Sequence, residues 1–115
     1  MKENLVLEKS KNFALRIIKL HLHLKDNKQE YIIGNQILRS GTSIGANIAE
    51  SDYAESRLDF INKLHIAIKE ASETAYWLEL VHRSNYISES EFMSINDDVK
   101  EILRLLASSI KTAKK

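Results

Sequence analysis

Apolar residues recur every three or four positions in four successive blocks, and no proline interrupts any of them. That period belongs to α-helices with one buried face, and it limits the folds open to this chain more than any other feature. The first block runs from about Leu5 to Asp26, with Val6, Phe13, Ile17, Leu20 and Leu24 on one side. The second carries Ile33, Ile37, Ile44 and Ile48. The third steps by four and three through Phe60, Leu64, Ala67, Ala71, Thr74, Leu78 and Val81, a heptad-like seam about four repeats long. The fourth places Phe92, Ile95, Val99, Leu103, Leu106 and Ile110 together.

Start signals mark the joints between the blocks. Asn27 with Glu30 has capping-box spacing ahead of the second helix, and Ser56 with Asp59 opens the third. Ser88 with Glu91 forms a capping box ahead of the fourth, while Ile87 and Phe92 occupy hydrophobic-staple positions. Short joints between long helices predict an all-α fold, an antiparallel up-down-up-down four-helix bundle, with residues 1–115 as a single domain.

Composition narrows the function classes. With 43% hydrophobic and 29% charged residues the chain resembles ordinary globular proteins, and no run approaches the roughly 18 apolar residues of a membrane span. The N-terminal MKENLVLEKSKNF lacks a signal-peptide core, so the expectation is a cytoplasmic protein with no membrane partner. The absence of cysteine excludes disulfides, thiolate metal sites and a thiol nucleophile. Net charge is +1, but residues 1 to 28 hold seven Lys/Arg against three Asp/Glu, and the remainder ten against thirteen. A sequence-independent nucleic-acid binder needs a denser basic stripe than this. In the expected topology Lys2, Lys9, Lys11, Lys111, Lys114 and Lys115 share one pole with Glu50, Asp52, Glu55 and Asp59, which are expected to neutralise much of that excess.

The stretch RSGTSIGANIAE, residues 39 to 50, is rich in Gly and Ser but follows no strand and lacks the Lys of a phosphate loop. As a helix it presents two organised sides: the isoleucine stripe, and a polar stripe of Gln36, Ser40, Ser43, Asn47 and Glu50 about a quarter turn away. Ser and Asn are poor choices for an exposed helix interior, and Gly34, Gly41 and Gly45 each cost about 1 kcal/mol of helix propensity. A packing role is therefore expected, with the polar stripe at least partly covered across a helix interface. Arg39 at its edge then requires a carboxylate. On the third helix Ile66, Trp77 and Leu80 lie opposite the seam in company with Glu70 and Glu73, and Leu15 and Leu22 sit behind the core face of the first helix. An aligned group containing Trp suggests a contact surface, and self-association is the expected use.

Catalytic and metal readings find little support. A di-iron bundle needs two Glu-x-x-His pairs, and only Glu79 with His82 qualifies. His21 and His23 point in different directions on a helix, and His65 has no carboxylate at ligand spacing. Ser40 and Ser43 have no adjacent base, and Glu70 with Glu73 reads as structural. The expectation is no enzyme, no cofactor, no metal and no small-molecule substrate; a metal-dependent bundle enzyme stands as a remote alternative.

The run from Gln36 through Arg39, Ser40, Ser43, Ile44, Asn47 and Ile48 to Glu50 closely resembles the signature of the bacterial four-helix bundle proteins called 23S ribosomal-RNA intervening-sequence proteins. The stretch Phe60 to Leu78, with KEA-x-ET-x-YWL, resembles their second signature, and the likeness extends through the Asn85-Tyr86-Ile87 joint across nearly the whole chain. The resemblance implies a homo-oligomeric ring, a homopentamer, of poorly defined function. It also implies similarity to the accessory variability determinant of diversity-generating retroelements, a pentameric bundle that binds a reverse transcriptase and nucleic acid. The alternative function is accordingly a nucleic-acid-binding accessory protein. Two departures stand out: Ser51-Asp52 where many members have Gly, and a near-neutral charge.

Overall fold

The computed structural model describes the backbone of residues 2–115, with side chains from Leu5 onward. Four helices follow one another: α1 (Lys2–Lys28), α2 (Ile32–Ser51), α3 (Arg57–Arg83) and α4 (Glu89–Ala113). Each packs against two neighbours, in the cyclic order α1, α2, α3, α4, and the residue pairings run antiparallel around the circle. Ile17 meets Gly41 and Leu24 meets Gly34; Ser40 meets Thr74 and Glu50 meets Lys63; Arg16 meets Asp98 and Lys9 meets Glu101. The expected up-down-up-down bundle is what forms, 45 Å long and about 20 Å across.

The core matches the isoleucine and leucine stripes closely, with small shifts at the helix ends. Val6, Phe13, Ile17, Leu24, Ile37, Ile44 and Ile48 are buried, whereas Leu20 and Ile33 are only partly so. On α3 the first core position is Ile61 and Phe60 is half-buried, because the seam rotates near the helix start. On α4 Ile102 is buried and Leu103 is half-buried, one residue away from the expected phase.

Helix ends divide into those the sequence signals and those it does not. Ser88 Oγ accepts from Glu91 N–H at 3.1 Å while Glu91 Oε1 accepts from Ser88 N–H at 2.8 Å, the complete capping box. Ser56 Oγ accepts from Asp59 N–H at 3.0 Å. Asn27 caps nothing: α1 continues to Lys28, and the Asn27 amide sits 3.0 Å from His23. Gln29, at φ 50°, breaks the helix instead, and Glu30 alone reaches forward to accept from Ile33 and Gly34 N–H. The first turn of α2 is thus satisfied from one residue before its N-cap, Tyr31, whose side chain makes no cap bond. At the end of α3, Asn85 at φ 67° allows Tyr86 N–H to bond Val81 O and Asn85 N–H to bond His82 O, a Schellman closure.

The glycines answer to α1. A Cβ at Gly41 would fall 2.8 Å from Ile17 Cγ1 and Cγ2, closer than carbon atoms pack, and one at Gly45 would lie 3.4 Å from Ser10 Cβ. These positions set how closely α1 and α2 approach.

Candidate functional site

The polar stripe of α2 and the outer stripe of α3 meet along one seam. Ser40 is fully buried there, and Thr74 Oγ1 lies 2.8 Å from both Ser40 Oγ and the Glu70 carbonyl. A threonine hydroxyl carries one proton, so Ser40's own proton completes the set and both buried groups are satisfied. Ser40 is the covered residue that its poor exposed helix propensity suggested.

Just outside this pair lies a cluster centred on Arg39. Its Nη1 donates to Glu70 Oε1 at 3.2 Å, its Nη2 to Glu73 Oε2, and its Nε to Gln36 Oε1 at 3.1 Å. Trp77 Nε1 donates to the same Glu73 oxygen at 2.9 Å, and Tyr76 places its ring edge-on to the indole at 5.1 Å. The carboxylates that Arg39 needed are therefore those of α3, within the same chain. Arg39 is 48% exposed, against 21% for Glu70 and 33% for Glu73, so the cluster is open on one side. Its net charge is −1, one guanidinium against two carboxylates.

The other stripe residues are held more locally. Ser43 Oγ donates to Arg39 O at 2.7 Å and Asn47 Nδ2 to Ser43 O at 2.8 Å, bonds inside α2 that leave both half-buried. Glu50 is exposed and pairs with Lys63 at 3.0 Å, a partner the spacing gave no reason to name. Ile66 is 41% exposed, and Trp77 and Leu80 are half-buried. The seam's bonds join Gln36, Arg39 and Ser40 of α2 to Glu70, Glu73, Thr74 and, through Glu73, Trp77 of α3, while Ser43 and Asn47 bond within α2 and Ile66 and Leu80 take no part in them.

The expectation about the pole charges is revised. Lys9 pairs with Glu101 at 3.3 Å and Lys11 with Glu8 at 3.6 Å. Among the described residues no ion pair joins the pole lysines to Glu50, Asp52, Glu55 or Asp59, and the side chain of Lys2 lies outside the described residues. Lys9 reaches across to α4 and Lys11 pairs within α1, so these two charges are taken up along the sides of the bundle. His82 stacks flat on Phe92, with ring centroids 4.2 Å apart, and its Nε2 contacts Glu89 Oε1 at 2.8 Å, so it serves the α3–α4 corner instead of pairing with Glu79, which bonds Arg83. Among the described residues no three His, Asp or Glu groups gather as a metal site. No helix among them is long and apolar enough to cross a membrane.

One member of the outer α1 row, Ile18, escaped the sequence reading. Ile18 is 40% exposed between Leu15 at 60% and Leu22 at 46%, and the i, i+3, i+7 spacing of these three was the available signal.

The family model described as 23S rRNA-intervening sequence protein matches residues 2–108. Among solved structures, a crystal structure of a protein with unknown function from the S23 ribosomal protein family of Bacteroides thetaiotaomicron is 56% identical. It covers 96% of this chain and 99% of its own, with a TM-score of 0.95. A comparison with functionally curated proteins returns no match.

Proposed function

Because the chain belongs to the family of 23S rRNA-intervening sequence proteins, we propose that it is a non-enzymatic, homo-oligomeric bundle, most simply a homopentamer, acting as a cytoplasmic scaffold. The observation that carries this reading is the α2–α3 face, where Ile66, Trp77 and Leu80 flank an Arg39–Glu70–Glu73 cluster that is complete in itself yet open outward. A half-desolvated ion cluster ringed by apolar side chains gains most when a second surface covers it. Against catalysis, the Ser40 and Ser43 hydroxyls are already engaged, by Thr74 and by the Arg39 carbonyl.

Light scattering at micromolar concentration tests it. The expected result is an assembled mass several times 13.2 kDa that falls to 13.2 kDa in Trp77→Glu with helicity retained. A wild-type monomer would end this reading.

A second reading, nucleic-acid binding as an accessory protein, is favoured by one observation. Lys111, Lys114 and Lys115 are all exposed at one end of the bundle, and an oligomer sums such ends. RNA or DNA affinity that falls steeply between about 50 and 200 mM salt supports it, and no binding at low salt removes it.

A further inference from the structure

The surface where α3 meets α4 carries charge mostly of one sign. Ser72, Ala75 and Tyr76 of α3 and Phe92, Asn96 and Lys100 of α4 line a hollow of about 310 Å³ there. Helical spacing keeps Lys69 on the side of Tyr76, and Arg104 and Lys111 on the side of Lys100. These four cations are exposed, and among the described residues none has an ion-pair partner. Against them stands one carboxylate, Asp97 at the outer edge of α4. Toward the α3–α4 joint, Glu79 is already held by Arg83 and Glu89 by His82. The whole chain is only +1, because the other faces are answered: Arg39 and Lys63 meet Glu70, Glu73 and Glu50, while Lys9 and Arg16 meet Glu101 and Asp98.

Large apolar side chains are interleaved with these cations. Leu58 is 68% exposed, Tyr76 57% and Met93 55%, and all three lie on the same side. The row from Met93 to Lys111 is about 27 Å long, the length of a helix of about 18 residues. A face of this charge attracts a polyanion, and the apolar side chains decide which kind. A nucleic-acid strand stacks its bases on open aromatic faces. Here Phe92 is half-buried and stacked on His82, with ring centroids 4.2 Å apart, and Tyr76 is edge-on to Trp77 at 5.1 Å. Leucine and methionine offer no stacking face. An amphipathic acidic helix uses everything present, setting apolar anchors at helical spacing into the hollow and against the adaptable Met93.

We propose that the α3–α4 face binds a short acidic, amphipathic helix of a partner protein. An apolar side chain of that helix fills the hollow beside Tyr76, and its carboxylates meet Lys69, Lys100, Arg104 and Lys111. The contact is charge-guided and exposed at its edges, so it weakens with salt. It lies on the opposite flank of α3 from the Arg39–Glu70–Glu73 cluster and does not depend on self-association.

Selection of a random peptide library displayed on phage against the wild-type protein tests this, with the enriched peptides then measured by fluorescence polarisation. The expected peptides are rich in Asp and Glu and carry apolar residues at helical spacing. Their affinity should fall about tenfold in Lys69→Glu/Lys100→Glu, because each reversal removes an attraction and adds a repulsion. Lys11→Glu/Lys19→Glu makes the same change of net charge on α1 and should alter affinity less than about twofold at physiological salt. Ser72→Trp, which fills the hollow from an exposed position, should weaken binding as the α3–α4 charge reversals do. Circular dichroism checks that each variant keeps its helicity. No enrichment, enrichment of basic or neutral peptides, or acidic peptides that bind Lys69→Glu/Lys100→Glu undiminished would overturn the proposal. Tighter binding of a single-stranded oligouridylate than of any enriched peptide, lost in the same variant, would also overturn it and give the face to RNA.

Discussion

Helices α2 and α4 are neighbours in length but not in how they are made. α4 is specified by its own sequence: a complete capping box, acidic residues in its first turn, a lysine in its last, and a charged outer surface. α2 has none of these local supports, with no acidic first turn, no basic last turn and three glycines. What holds it is its neighbours, Ile17 and Ser10 of α1 against Gly41 and Gly45, and Thr74 of α3 against Ser40. A helix built from poor helix formers survives where packing outweighs propensity. The residues that weaken α2 in isolation are the ones that let two neighbours approach it closely.

The largest expected effect breaks this contrast at its tightest point. Gly41→Val places side-chain carbon where Ile17 already stands, since even a Cβ would be at 2.8 Å, and should destabilise by about 2 to 3 kcal/mol in denaturant unfolding. The same residue introduced at exposed Ala107 of α4 should change stability by no more than about 0.5 kcal/mol. Equal losses at the two sites would show that α2 and α4 tolerate bulk alike.

A smaller effect tests the opposite end of the comparison. Ser88→Ala removes the side chain that receives Glu91 N–H and should cost about 1 kcal/mol. Asn27→Ala, which deletes no cap, should stay within about 0.5 kcal/mol. A cost at Asn27 as large as at Ser88 would restore it as a cap.

The same contrast decides what could be read from the sequence. The start of α4 was legible because Ser88, Glu91 and Ile87 signal within five residues of one another, and the isoleucine stripe of α2 was legible because burial imposes a period. The start of α2 was misread, since Gln29 adopts a left-handed conformation with no glycine to announce it, leaving Glu30 to do the capping alone. At the candidate site, the need of Arg39 for a carboxylate followed from charge, and Glu70 and Glu73 were found by helical spacing. The Ser40–Thr74 bond and the Lys63–Glu50 pair depend on the register between α2 and α3, which no single helix encodes. The Leu15, Ile18 and Leu22 row was incomplete for a different reason: Ile18 adjoins the core residue Ile17, and only the rotation of α1 in the bundle separates the two.

The third effect is smaller again. Arg39 is half exposed, so Arg39→Ala in the separated chain should cost less than about 1 kcal/mol, the range of surface pairs, and not the 3 to 5 kcal/mol of a buried pair broken on one side. Concentration sharpens the measurement. If the ring covers this cluster, the loss measured by unfolding at concentrations where the wild type is assembled should exceed the loss in dilute solution, because assembly stabilises the folded state by mass action. An identical small loss at both concentrations would leave the cluster uncovered in the assembly.

The smallest effect lies in pH and belongs to α4 alone. Glu91 is held below its ordinary value of 4.5, first by the hydrogen bond from the Ser88 backbone, then by the Ser88 side chain, with weaker help from the charges of His23 and Lys28. A carboxylate lowered on folding contributes stability that is fully present above its unfolded value and disappears as pH falls through the lower folded one. Glu91→Gln should therefore be less stable than the wild type at neutral pH, and the two should converge as pH drops below about 4.5. Glu91 is exposed, so the gap should also narrow with salt insofar as it is charge rather than geometry. α2 has no acidic residue in its first turn, so this test belongs to the N-terminal turn of α4. A pH-independent gap between Glu91→Gln and the wild type would remove the ionised carboxylate from the cap.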